Sequence, residues 1–84
     1  MGVGGGYIPR HILMNINESL GKLCQSHRVK LNKTQFQVAI DLNCSKENVS
    51  KFELGKNDNV NIFLWYLLHG LHISEIVRLY NESK

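Results

Sequence analysis

The sequence predicts a single all-α domain. Its 84 residues are enough for one core and little more. Hydrophobic residues make up 43% of the chain, which is ordinary for a globular protein. Apolar residues recur at three- and four-residue steps, and no segment alternates as a strand would. A domain of this size buries only about 60% of its unfolded surface, so a partner that completes the core would not be surprising.

The ends of the chain and its apolar runs bear on localisation. Residues 1–8 contain four glycines, which lose much conformational freedom on ordering. We therefore expect a flexible arm over residues 1–8 and one helical domain over residues 9–84. The apolar stretch at residues 12–14 is too short for a secretory signal, and the longest apolar run, residues 62–68, falls well below the about 20 residues that span a bilayer. These features predict a cytoplasmic protein without a membrane partner.

The first helix is predicted over residues 16–30, and the pattern also allows a start near Arg10. Asn15-x-x-Glu18 resembles a capping box, in which two side chains satisfy free backbone N–H groups at a helix start. The inner face is expected to contain the residues that follow the helical period: Ile16, Leu20, Leu23, Cys24, His27 and Leu31.

The second and third helices are predicted to be short and joined by a tight turn. Thr34-x-x-Gln37 is a capping box that opens helix 2, which ends near Leu42. Asn43 tolerates the left-handed conformation that ends a helix, and Ser45 is a strong N-cap for helix 3. Gly55 ends helix 3. The residues expected to face inward are Val38, Ala39, Leu42, Val49 and Phe52.

Helix 4 is predicted over residues 60–71, and Ser74 is expected to cap helix 5. The predicted inner stripe of helix 4 is Asn61, Leu64, Leu68 and Leu71, and that of helix 5 is Ile76, Val77, Leu79 and Tyr80. Four further apolar residues of helix 4 cannot all face the same small core. We therefore predict that they form a homodimer interface: Ile62, Phe63, Trp65 and Tyr66.

Helix 2, the turn and helix 3 together resemble the helix-turn-helix of the Xre/Cro-type (lambda-repressor-like) DNA-binding family. The residues that carry the resemblance are Thr34-Gln35, Val38-Ala39, Asn43-Cys44-Ser45 and Phe52-Glu53-Leu54-Gly55. The stretch from Leu71 to Ile76 is similar to the family's junction between helices 4 and 5. The resemblance covers roughly residues 20–80 and implies a compact five-helix DNA-binding domain.

The resemblance implies a site for double-stranded DNA on helix 3, at about residues 45–54. Lys46, Glu47, Ser50 and Lys51 would meet base edges in the major groove, and Gln35 would donate to a phosphate and brace the first residue of helix 3. The remaining expected contacts are Lys33, Thr34, Ser45, Asn48, Lys56 and Asn57. Arg28 and Glu53 match positions that often pair between helices 1 and 3. Eight of the ten basic residues lie within residues 1–56, which suits a polyanionic partner.

The function implied by the resemblance is that of a sequence-specific transcriptional regulator, a dimeric repressor of phage, mobile-element or bacterial origin that reads an inverted repeat in the bacterial cytoplasm or nucleoid. The arm would reach a neighbouring groove or remain free. The alternative is a protein-interaction module, an antitoxin or repressor antagonist, that binds a second regulatory protein through its apolar helix 4–5 surface.

Other classes of site lack support in the sequence. No Ser-His-Asp, paired-carboxylate or phosphate-loop pattern can be assembled, so we expect neither enzymatic activity nor a cofactor. His69 and His72 stand at helical spacing without a nearby third ligand, so no metal site is expected. Cys24 and Cys44 are too few for a disulfide framework, and we expect them to be small buried residues in a reducing compartment.

Overall fold

The computed structural model describes the backbone of residues 10–82 and the side chains of residues 16–82. Five helices follow one another: α1 (Arg10–Lys30), α2 (Gln35–Leu42), α3 (Lys46–Glu53), α4 (Val60–Leu68) and α5 (Ile73–Glu82). Residues 10–82 contain no strand, so the all-α prediction is confirmed. The arm expected over residues 1–8 lies outside the described residues.

Helix α1 begins at Arg10, the earlier of the two starts that the sequence allows. Asn15 therefore lies inside the helix, and the prediction of a capping box at this residue is wrong. The reason is that residues 12–14 include leucine and methionine, which favour the helix and extend it beyond the polar pair. Asn32, with φ of 61°, follows the end of the helix.

The α2–turn–α3 corner has the local geometry that the sequence predicts. The Thr34 side chain accepts a hydrogen bond from the Gln37 backbone N–H, and the Gln37 side chain accepts one from the Thr34 N–H, so the capping box is complete. Asn43 is left-handed (φ 53°, ψ 46°). The Ser45 side chain accepts from the Asn48 N–H at 3.2 Å and begins α3.

The core lies where α1, α2, α3 and α4 meet. Helix α1 packs against α3, α4 and α5, and α2 packs against α3 and α4. The inward residues predicted for α2 and α3 are confirmed: Val38, Ala39, Val49 and Phe52 are buried, and Leu42 is partly buried. The remaining buried members of the core are Cys24, Ile62, Trp65, Tyr66, Leu71 and Ile76.

Helix α4 presents the opposite face to the core from the one predicted. Ile62, Trp65 and Tyr66 are buried in the subunit itself, so the assignment of these three residues to a dimer interface is wrong, whereas Phe63 is only partly buried. Of the predicted inner stripe, only Leu71 is buried, whereas Asn61, Leu64 and Leu68 are exposed. A helix that is apolar on nearly every side gives no amphipathic signal to select its inner face. The larger aromatic side chains take the core positions.

The ends of α4 and α5 also differ from the prediction. Helix α4 stops at Leu68, and Gly70 follows with φ of 100°. Helix α5 begins at Ile73, so Ser74 lies in its first turn and is not its cap. The backbone carbonyl of His72 already accepts from the Glu75 N–H, which starts the turn before Ser74.

The buried side of α5 is narrower than predicted. Ile76 is buried and Leu79 partly buried, whereas Val77 and Tyr80 are about half exposed.

Leu31, which lies beyond the end of α1, is also exposed, so its assignment to the inner face of helix 1 is wrong. Within residues 10–82, no helix combines the length and apolar character needed to span a bilayer.

Candidate nucleic-acid interface

The outer face of α3 is polar and accessible. Val49, Phe52 and Glu53 turn toward the core, which leaves Lys46, Glu47, Asn48 and Lys51 exposed and Ser50 partly buried on the other sides of the helix. Gln35, the first residue of α2, joins this surface. A single shallow depression is lined by Gln35, Lys46, Glu47, Ser50 and Lys51, which are the residues expected to meet bases and a phosphate.

Two of the expected DNA contacts also have a structural task. The hydroxyl oxygens of Thr34 and Ser45 accept backbone N–H groups at the starts of α2 and α3. Their protons remain able to donate, because an accepting hydroxyl retains its own O–H.

Lys33, the residue before Thr34, is exposed, and its backbone carbonyl accepts from Nη1 of Arg28 at 2.8 Å.

The loop after α3 places the remaining expected contacts. Lys56 is exposed, and its backbone N–H donates to the Lys51 carbonyl at 2.8 Å. The side-chain amide of Asn57 donates to the Asn48 carbonyl at 3.4 Å, and its oxygen accepts from the Asn59 N–H at 3.2 Å. Asn57 therefore ties the loop to the first turn of α3, and the structure gives it a positioning task beside the expected phosphate contact.

The ion pair predicted between helices 1 and 3 is present. Arg28 Nε donates to one oxygen of Glu53 at 2.8 Å, and Arg28 Nη2 donates to the other at 3.1 Å. The side chains are 10% and 2% exposed, so this pair is desolvated and unlike a surface ion pair. It joins α1 to the last residue of α3.

Two further donors complete the coordination of the Glu53 carboxylate. The Tyr66 hydroxyl donates at 2.5 Å, and Gln35 Nε2 donates at 2.9 Å. Gln35 was expected to brace the first residue of helix 3. This prediction is wrong, because the Gln35 side chain donates its hydrogen bond to Glu53, the last residue of α3. Tyr66 was not predicted to belong to this network. A tyrosine within an apolar helix could have indicated such a role, because a buried tyrosine hydroxyl needs a hydrogen-bond partner.

This network shifts the pKa values of its members. Burial alone would raise the pKa of the Glu53 carboxyl, but the hydrogen bonds from Arg28, Tyr66 and Gln35 outweigh burial and hold the pKa below its ordinary value. The hydrogen bond to Glu53 raises the pKa of Arg28. Burial, followed by the bond to Glu53, raises the pKa of the Tyr66 hydroxyl. Glu53 is therefore ionised and Tyr66 neutral at neutral pH.

Cys24 is buried beside the network, and neither cysteine forms a disulfide. Burial, with a smaller contribution from the charge of Glu53, raises the pKa of the Cys24 thiol to about 12. A neutral thiol is a poor nucleophile, so Cys24 has the character of a small apolar core residue, as predicted. Cys44 is only partly buried.

Two glycines bring α3 close to α1. A Cβ on Gly21 would overlap the Glu53 carbonyl group, lying 2.7 Å from its carbon and 2.9 Å from the Phe52 oxygen. Gly55, with φ of 78°, would place a Cβ 2.7 Å from the Glu18 backbone. Because these neighbours are backbone atoms, they cannot move aside as a side chain would. Backbone contact with α1 therefore fixes the inner side of α3, opposite its exposed polar face.

Apolar side chains are exposed both beside this surface and away from it. Phe36 is 60% exposed and shares a second depression with Arg28, Thr34, Gln35 and Lys46. The sequence pattern did not predict this feature. Away from the corner, α4 and α5 carry exposed apolar residues: Leu64, Leu68, Ile73 and Val77.

The histidines make local contacts with the chain. His69 Nδ1 donates to the Trp65 carbonyl at 2.7 Å, and its ring stacks on the Trp65 ring with centroids 3.9 Å apart. His27 Nε2 donates to the His69 carbonyl at 2.8 Å, which anchors the end of α4 to α1. Across the part of the chain that the structure describes, no three His, Cys, Asp or Glu residues are grouped to hold a metal ion.

A comparison with protein-family models finds no match, and searches of curated proteins and of solved structures find no similar chain.

Proposed function

We infer that this protein is a sequence-specific DNA-binding transcriptional regulator with a lambda-repressor-like domain of the Xre/Cro type. One observation carries the inference: a capped α2–turn–α3 corner leaves Lys46, Glu47 and Lys51 together on an accessible face. The major groove of B-DNA is about 12 Å wide and admits one α-helix, presented by its N-terminal part. In this proposal α3 is the recognition helix.

The side chains on this face suit base recognition. Lysine donates to guanine O6 and N7, and glutamate accepts from the cytosine amino group. Glu47 also repels backbone phosphates, so it contributes specificity by penalising incorrect registers. Lys33 and Lys56 lie before α2 and after α3, where they would hold phosphates on either side of the groove.

Repression would follow from occupancy of an operator that excludes polymerase, without a cofactor. An inverted-repeat operator requires two recognition helices about 34 Å apart, which a two-fold dimer provides. Because Ile62, Trp65 and Tyr66 are buried in the core, we place the proposed dimer contact on the exposed apolar residues of α4 and α5, of which Leu68 is the most exposed at 81%.

The proposal is tested by selecting bound duplexes from a random DNA pool and then measuring affinities for the selected site. Lys51→Ala and Gln35→Ala should each weaken specific binding, by about fivefold to a hundredfold for the loss of one base contact at Lys51. Lys22→Ala, on the exposed surface of α1, makes the same change in charge and is the matched control. If the Lys51 and Lys22 variants bind equally well, α3 is not the recognition helix.

The second candidate, a protein-interaction module, is favoured by the same exposed apolar residues. Leu68 is 81% and Ile73 62% exposed, and exposed apolar residues that form one patch are typical of a protein-interaction site. An antitoxin or repressor antagonist would place a partner protein there. Stable co-purification of a different protein that Leu68→Glu abolishes, together with no duplex selected from the pool, would favour this function.

A further inference from the structure

The Glu53 carboxylate connects four helices at one point. Glu53 belongs to α3, and its donors come from α1 (Arg28), α2 (Gln35) and α4 (Tyr66). The four hydrogen bonds divide evenly, two to each oxygen, which matches the four lone pairs of a carboxylate. The carboxylate is therefore fully occupied and is held in one orientation.

Gln35 is the member of this network that also lines the depression on the outer face of α3. Its Nε2 donates inward to Glu53, while the residue lines the depression formed by Lys46, Glu47, Ser50 and Lys51. The other three members lie in the interior: Arg28, Glu53 and Tyr66 are each less than 10% exposed.

The bond to Glu53 decides which way the Gln35 amide points. A carboxylate can only accept, so the amide nitrogen must face Glu53, and the reverse orientation would place two oxygens against each other. One N–H is thus used internally. The second N–H and the amide oxygen remain for a ligand, with their directions set before any ligand arrives.

We propose that Tyr66 and Glu53 are positioning residues that orient the Gln35 amide toward a DNA phosphate. This inference rests on the proposed function. Tyr66 acts at a distance, because its hydroxyl fixes the Glu53 carboxylate and the carboxylate fixes Gln35. A residue at the centre of the core thereby influences a contact on the surface.

The test is a double-mutant cycle on affinity for the selected duplex. Tyr66→Phe keeps the ring and removes the hydroxyl, and it should weaken binding about threefold to tenfold, the range expected for one hydrogen bond. In the Gln35→Ala background, Tyr66→Phe should cause no further loss. Equal weakening in both backgrounds, or no weakening in either, would overturn the proposal.

Two controls separate positioning from folding. Tyr80→Phe removes a hydroxyl from a half-exposed tyrosine outside the network and should leave affinity unchanged. Thermal unfolding of each variant identifies any that is unfolded at the assay temperature. If Tyr66→Phe proves unfolded, the whole cycle is measured at a lower temperature at which this variant is folded, with the same expected outcome.

A measurement without DNA distinguishes failure of this inference from failure of the proposed function. The Gln35 side-chain NH2 group gives its own pair of signals in a ¹⁵N–¹H spectrum of the free protein. Tyr66→Phe should shift these signals, and Tyr80→Phe should not. Shifted signals in a protein that binds no duplex would refute DNA binding and leave the orienting network intact, whereas unshifted signals would refute the network itself.

Discussion

Glu53 is a buried charge whose cost is offset by its surroundings. An isolated carboxylate in a protein interior loses far more hydration energy than one neighbour returns. Here one guanidinium and two neutral donors supply four hydrogen bonds, and within residues 16–82 no buried side-chain nitrogen or oxygen lacks a partner. Such a network stabilises one arrangement of helices because every alternative arrangement leaves a charge unpaired.

The lowered pKa of Glu53 makes stability depend on pH in a definite direction. The carboxyl binds protons more weakly in the folded chain than in the unfolded one, so its contribution is complete above the ordinary pKa of about 4.3 and is lost as pH falls through the folded value. We expect the free energy of unfolding to decrease as the solution is acidified below about pH 4.3.

Glu53→Gln should remove much of this acid sensitivity and should cost about 3 kcal/mol at pH 7, because Arg28 is left buried without its counter-charge. Urea unfolding between pH 7 and pH 3 measures both effects. Glu18→Gln, at an exposed position, is the control and should retain the wild-type profile. A Glu53→Gln profile parallel to the wild type would show that another carboxyl is responsible.

Gly21 should not tolerate a methyl group. Alanine normally favours a helix over glycine by about 1 kcal/mol, but at this position its Cβ would overlap the Glu53 carbonyl. We expect Gly21→Ala to lower the free energy of unfolding by about 1–3 kcal/mol, as overpacking does. Ser26→Ala, on the exposed side of the same helix, should be neutral or slightly stabilising. An equally stable Gly21→Ala variant would mean that the two helices lie further apart.

At the scale of single residues, the sequence predicts those contacts that a local motif specifies. The pairing of Arg28 with Glu53 follows from the resemblance, and it is present. Tyr66 was predicted to lie on the surface. Its hydrogen bond to Glu53 could not be predicted, because a contact between residues 13 positions apart leaves no periodic pattern in the sequence. The proximity of Gly21 to α3 was likewise not predicted, since one glycine inside a helical pattern does not reveal what approaches it.

Among the elements, capped helices were predicted best. Thr34, Asn43 and Ser45 act within three or four residues of themselves, so their roles can be read without a tertiary structure. Helix α4 is the counterexample. Apolar residues surround it, so its inner face depends on which side chains fill the core, and this is a property of the other helices.

In the turn between α2 and α3, two substitutions of Asn43 are expected to differ in their effect on the free energy of unfolding. Asn43 adopts φ of 53°, a conformation that costs most residues with a Cβ about 1–2 kcal/mol and costs glycine nothing. Asn43→Ala should therefore destabilise the chain by about 1 kcal/mol, and Asn43→Gly should be neutral or stabilising. Chemical denaturation of both variants provides the comparison. If alanine and glycine give the same stability, the turn does not hold this residue in the left-handed region.

At the scale of the whole molecule, the proposed pairing of two chains gives a direct prediction. Wild-type protein should sediment as a dimer at tens of micromolar without DNA, and Leu68→Glu should be monomeric, because it places a charge in the proposed apolar contact. Its unfolding should change little, since the side chain is 81% exposed. Val29→Glu, 61% exposed on α1, is the matched control. A monomeric wild type would exclude self-association through this surface.

The attachment of α3 has a consequence for engineering. Its inner side is fixed by the backbone of α1 and by the Glu53 network, whereas among residues 16–82 the side chains of Lys46, Glu47 and Lys51 form no hydrogen bond or ion pair. These three positions can therefore be randomised in a combinatorial library without disturbing the scaffold. Clones enriched on different duplexes would then vary in the base pairs they prefer while sharing nearly the same melting temperature.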